Sequence, residues 1–252
     1  MKKQSFANRL LRTTALLPAP LLAFPGVAFA DCLPNAGGTI VTCQTTDPDG
    51  YDGSAVSGLS INVGPGASVD GGALQAGSQS AVNNEGTVTA DISMGSGSRV
   101  SNAANAPGSI TGNINFAAAG ASQTNILENF RGLAPATITG DIVSAGGAFL
   151  VTNDGTITGN LTSAGVTTIN NTGSITGTTI SVGGGSTINN LASGPGSITA
   201  DIAFGAAGAT QTNTLNNLGA STITGNVSSA GGAFSLTNAG SLTGDISSSG
   251  NT

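Results

Sequence analysis

The chain repeats itself, and that repetition restricts its possible folds more than any other feature. Residues 107–129, PGSITGNINFAAAGASQTNILEN, return at 195–217 as PGSITADIAFGAAGATQTNTLNN. Residues 137–165, TITGDIVSAGGAFLVTNDGTITGNLTSAG, return at 222–250 as TITGNVSSAGGAFSLTNAGSLTGDISSSG. A block of 85–88 residues is thus duplicated, with a three-residue difference in length near Arg131-Gly132-Leu133. Inside the block runs a shorter unit: an aliphatic flanked by Ser or Thr, then Gly or Ala, then Asp or Asn, then another aliphatic. The leading aliphatics are Val88, Ile110, Ile138, Ile157, Ile175, Ile198, Ile223 and Leu242, spaced by 22, 28, 19, 18, 23, 25 and 19 residues, with Val69 one unit earlier. A period near twenty with Gly/Asn turns predicts an all-β fold, a right-handed parallel β-solenoid with irregular rungs of 18–28 residues. Two or three short strands per rung would turn aliphatics inward and Ser or Thr outward. Eight to ten rungs would make a rod of roughly 40–50 Å.

Composition agrees. Only 7% of residues are charged and 4% aromatic, and Ala is the one good helix former present in quantity, which argues against a helical bundle. Gly plus Pro, 49 residues, stays below the low-complexity range, and the apolar residues are regularly placed, which argues against disorder. Barrels and sandwiches use more aromatics and hairpins of fixed length, and neither predicts a twenty-residue period. Asn also recurs: Asn84, Asn153, Asn171 and Asn238 each stand four residues before a leading aliphatic. Asn129, Asn190 and Asn217 stand further back, where extra residues would loop out. Stacked amides can hydrogen-bond along such a column and cap its turns.

The first thirty residues are of another kind. Lys2, Lys3, Arg9 and Arg12 precede a short apolar run, and Ala28-Phe29-Ala30 places small residues at −3 and −1 of a cleavage site before Asp31. This is the pattern of a secretory signal peptide; Pro18, Pro20 and Pro25 and the short run argue against a membrane span. Beyond residue 30 the chain has two basic residues, Arg99 and Arg131, against twelve acids, a formal charge of −10. Such a surface excludes nucleic acid and anionic lipid as partners, since both call for clustered Lys and Arg.

Cys32 and Cys43 are the only cysteines. In an exported chain they are expected to pair, stapling a small hairpin for roughly 3 kcal/mol. Lipidation would need Cys in place of Asp31, and a redox role would favour C-x-x-C, which is lacking.

Two arrays are candidate sites. Asp91, Asn113, Asp141, Asn160, Thr178, Asp201, Asn226 and Asp245 each follow a leading aliphatic by three residues. Asp91, Asp141, Asp201 and Asp245 could form a shallow cation- or sugar-binding stripe. Acids on no two successive rungs, and Gly-Asx at a corner, favour turn chemistry instead. The pairs Thr137/Thr139, Thr156/Thr158 and Thr222/Thr224, with Ser-x-Thr versions at Ser109, Ser174 and Ser197, form a hydroxyl array resembling that of some ice-binding proteins. Thr is simply a good outward strand residue, and uneven spacing is expected to interrupt a flat lattice. For catalysis, His is absent, Lys is absent beyond residue 30, and Arg99 and Arg131 are isolated in sequence, so no enzyme, cofactor or metal site is expected. Phe116/Phe204 and Phe149/Phe234 occupy equivalent places in the duplicated blocks and are expected in the core.

The leader ending Ala28-Phe29-Ala30, Cys32 and Cys43, Thr45-Thr46-Asp47-Pro48-Asp49-Gly50-Tyr51, and the N-x-G-x-I-x-G rungs at 153–159 and 171–177 together resemble passengers of Gram-negative autotransporters. The resemblance spans the chain beyond the leader and carries no catalytic residue. It implies a surface-displayed or secreted, adhesin-like passenger that passes through the periplasm. Its partners would be a C-terminal β-barrel translocator and the outer-membrane assembly machinery, with host or cell-surface ligands, or self-association, beyond them. No barrel-like strand series is present, and alignment of Ser249-Gly250 with Ala164-Gly165 ends the sequence within a rung, so a truncated C-terminus is expected. The alternatives are a secreted polysaccharide-binding or -cleaving β-helix and an ice-binding solenoid. The expected organisation is a signal peptide at 1–30, a disulfide-containing cap at 31–68 and the solenoid at 69–252.

Overall fold

The computed structural model describes residues 32–250, apart from 103–105, 107, 133, 192 and 195. The expected leader and its cleavage residues Ala28, Ala30 and Asp31 lie outside the described residues. Every regular element described is a β-strand, and the strands wind into a parallel solenoid.

Each coil presents three faces. The first is an eleven-stranded sheet in which Leu33–Pro34 pairs antiparallel with Ile40–Cys43 and the other ten strands run parallel, ending at Ala233–Asn238. The second face stacks the strands that carry the leading aliphatics, such as Ser109–Thr111, Thr137–Thr139 and Thr156–Thr158. The third stacks Leu74–Ala76, Ile92–Met94, Ile114–Phe116, Ile142–Ser144 and their successors. Ser174–Val182 and Ser197–Phe204 bend through both of these faces, joining them into one sheet of eighteen strands. Ten coils at about 4.8 Å make a rod of about 45 Å.

The leading aliphatics stack in register from Val69 through Val88, Ile110, Ile138, Ile157, Ile175, Ile198 and Ile223 to Leu242. Val69 through Ile223 are sealed from solvent, and Val41, Ile61, Val82, Val100, Leu127, Val151, Ile169, Ile188 and Leu215 form the facing column. Phe116 stacks on Phe149 at 5.4 Å between ring centroids, and Phe204 on Phe234 at 5.8 Å; all four are buried. Duplication has thus preserved a packing unit as well as a sequence.

The parallel stack reaches further back than residue 69. Ile40–Cys43 pairs with Ser60–Val63, and Thr46–Asp47 with Ser68–Val69, so the segment expected as a separate cap contains the first coil and part of the second. Asp47 is the reason the pattern fades there: it occupies the aliphatic column beside Val69 and is buried. One carboxylate oxygen accepts the Cys32 N–H at 2.7 Å, and the other accepts the N–H groups of Asp49 and Gly50 at 2.9 Å. The Cys32–Cys43 disulfide holds the hairpin over this coil, so a buried carboxylate and a cross-link together close the N-terminal end. At the other end Ile246 is 47% exposed.

Candidate functional site

Most buried polar side chains here serve the stack. At the first corner, Asn84, Asn102, Asn129, Asn153, Asn171, Asn190, Asn217 and Asn238 form one amide ladder, each Nδ2 donating to the next Oδ1 at 2.8–2.9 Å. The same nitrogens donate to backbone carbonyls of the second face, as Asn153 does to Ser174 at 3.0 Å. Asn102 belongs to the ladder although it stands eight residues before Ile110. At the third corner, Ser80, Ser98, Asn125, Ser186 and Asn213 accept backbone N–H groups from the preceding coil. This buried column went unrecognised in the sequence because Phe149 and Phe234 interrupt it.

The Asp/Asn stripe lies at the second corner. Asp91 Oδ1 accepts the Asn113 N–H at 2.7 Å, Asn113 accepts from Asp141 at 2.9 Å, and Asp141 accepts from Asn160 at 2.8 Å. Asp201 accepts from Asn226 at 2.7 Å, and Asn226 from Asp245 at 3.0 Å. Each acceptor therefore caps the backbone of the next coil, and a cation would have to compete with that N–H. Thr178 leaves the column: an extra residue puts Thr179 opposite Asp201, and both Thr178 and Thr179 donate their N–H to Asn160. Among the described residues, no group of three or more His, Cys, Asp or Glu side chains is placed to hold a metal ion. Arg99 is not isolated in space: its Nε donates to Glu128 at 2.7 Å, and the guanidinium makes a second contact there. Being exposed, the pair contributes at most about 1 kcal/mol.

Two surfaces remain uncommitted. On the second face, Thr111, Thr139, Thr158, Thr176, Thr199, Thr224 and Thr243 form an unbroken, exposed column in continuous register. Uneven rung length was expected to break this lattice and does not. Among the described residues the extra ones fall between faces, at 117–123, 130–132, 134–136 and 205–211, and not within the Ser/Thr-x-Thr segments. One such loop borders the array, where Arg131 and Pro135 join Thr156 and Ser174 around a shallow hollow.

The other surface is a groove of about 600 Å³ along the third face, crossing the first five coils. Its wall is the outward column Gln75, Ser93, Asn115 and Val143, which the ladder places on successive coils. Ala76, Met94 and Phe116 border it from the core, and Ser54, Ser57 and Ser78 come from the loops. No lining residue is charged. Asp52 continues the column one coil before Gln75; the hydroxyl and N–H of Ser54 hold its carboxyl below the ordinary aspartate range.

Comparison of the chain with protein-family models, curated proteins and solved structures finds no match.

Proposed function

We propose that the chain is the β-solenoid passenger of an autotransporter, displayed at or released from the outer surface of a Gram-negative cell, with a structural and adhesin-like rather than catalytic role. The observation that carries this reading is a ten-coil parallel stack whose buried polar side chains are largely spent on holding one coil to the next. Such a rod suits spacing and display: its interior is closed by an amide ladder, and beyond residue 30 it offers trypsin-like proteases only Arg99 and Arg131. The leader at 1–30 and the disulfide at the first coil fit passage through an oxidising compartment. In this reading a C-terminal β-barrel translocator and the outer-membrane assembly machinery are the partners in delivery.

Fractionated cells, probed with antibody to residues 31–252 before and after external protease, test the reading. The expected product is a protease-accessible outer-membrane band well above the size of 252 residues. A band of this chain's own size, confined to periplasm or medium, would remove the translocator from the account.

The unbroken Thr column favours a second reading, a face that orders water and binds ice. Seven Thr on seven successive coils are exposed, and no hydroxyl of this column from Thr111 to Thr243 is bonded within the described residues. Spacings of about 4.8 Å between coils and roughly 7 Å between alternate residues of one strand make a rigid two-dimensional array. The purified protein is expected to show thermal hysteresis that Thr158→Tyr reduces several-fold. Folded protein with no hysteresis would end this reading.

A further inference from the structure

We propose that the groove on the third face binds a neutral glycan chain, lying along the rod axis across Gln75, Ser93 and Asn115. Their half-buried side chains make no hydrogen bond among the described residues, whereas the half-buried outward amides of the first face, Asn83, Asn189 and Asn216, donate to a neighbouring coil. Amides and hydroxyls both donate and accept, which is what sugar hydroxyls require. The spacing fits as well: successive coils set these groups about 4.8 Å apart, close to the advance of one pyranose unit in an extended chain. From Ser54 in the first coil to Val143 in the fifth, four steps span roughly 19 Å, room for about four sugar units. Val143, 37% exposed at the far end, offers an apolar surface to the C–H face of a ring.

The ligand's charge class follows from the same residues. A uronate or sulfate ester would find no cation in the groove and would meet Asp52 next to Gln75, on a chain with a formal charge of −10 beyond residue 30. The groove's volume falls within the range of small-ligand sites, while its open shape suits a polymer that enters and leaves by both ends. This inference does not depend on the route of export, so either can fail alone.

Native electrophoresis of the full exported chain through gels containing hydroxyethylcellulose, galactomannan, dextran or polygalacturonate tests the proposal. Retardation by at least one neutral polymer is expected, weakened about tenfold or more in a Gln75→Ala/Asn115→Ala double variant. Thr162→Ala, one coil beyond Val143 in the same outward column, is expected to bind like the parent. Circular dichroism establishes that each variant keeps its β signature. Unaltered migration in every neutral gel would overturn the proposal, as would equal retardation of the double variant or retardation by polygalacturonate alone.

Discussion

Asn153→Leu is expected to lower stability by roughly 2–4 kcal/mol, although Leu shares the branched four-atom skeleton of Asn and is more apolar. Asn153 sits near the middle of the amide ladder, fully buried. Its Oδ1 accepts from Asn129 Nδ2 at 2.8 Å, and its Nδ2 donates to Asn171 Oδ1 at 2.8 Å and to the Ser174 carbonyl at 3.0 Å. In the Leu variant, Asn129 keeps its bond to the Thr156 carbonyl at 3.1 Å, so part of its capacity survives. The buried Asn171 oxygen loses a donor away from water, at about 1–3 kcal/mol, and the part-buried Ser174 carbonyl loses another at a smaller cost. Burial of the Leu side chain offsets a fraction of that sum. The comparison variant is Asn170→Leu, which breaks an equivalent amide contact, from Asn189 Nδ2 at 2.9 Å, on the half-buried outer side. Water replaces that partner, so a cost of about 1 kcal/mol or less is expected. Urea midpoints for both variants, with amide exchange to locate the loosened coils, make the measurement. Equal midpoints would mean that the ladder sets register without contributing stability. Exchange is needed because a stack of coils can open from one end, so a single unfolding free energy could conceal a local loss.

What could be read from the sequence, and what could not, divides along the same line. The leading aliphatics were legible because each coil needs an inward branched residue between two outward hydroxyls, and that demand recurs from Val88 to Leu242. The pattern failed at Asp47, where closing the first coil calls for an acceptor of N–H groups and not for a hydrocarbon. Asn102 escaped because it stands eight residues, not four, before Ile110, which alters the count while leaving its place in the ladder unchanged. Loops also explain the mistaken expectation for the Thr array: spacing along the chain measures corner and strand together, and here the variation falls between the faces. The groove was the least legible feature. Gln75, Ser93, Asn115 and Val143 share no residue type, and only the register of three ladders makes neighbours of them. Residues that hold a stack together must repeat, whereas those facing a ligand need only be adjacent.

Gly159→Ala carries the largest expected penalty, roughly 4 kcal/mol or more, and its cause is separable from ordinary glycine strain. Gly159 has φ +151°, and a methyl group there would lie 2.1 Å from the Gly140 carbonyl oxygen and 2.6 Å from its carbon. These are backbone atoms of the adjacent coil, held by their own ladder, so no side-chain rotation relieves the overlap. Relief would require two coils to part at the second corner, which would stretch the cap from Asp141 Oδ1 to the Asn160 N–H and loosen the Ile138–Ile157 contact. The column tolerates Ala at positions 90 and 200, where the backbone does not adopt positive φ. Gly58→Ala isolates the conformational part. Gly58 has φ +70° with nothing within 4 Å of the added carbon, so only left-handed strain of about 1–2 kcal/mol is expected. Denaturation midpoints for the two variants, with limited proteolysis by thermolysin to map new cleavage, give the comparison. Cleavage gathered around 140–160 in Gly159→Ala alone is the expected pattern. A Gly159→Ala protein as stable as Gly58→Ala would show that the corner relaxes at little cost, and that the close approach of successive coils is not what fixes their spacing.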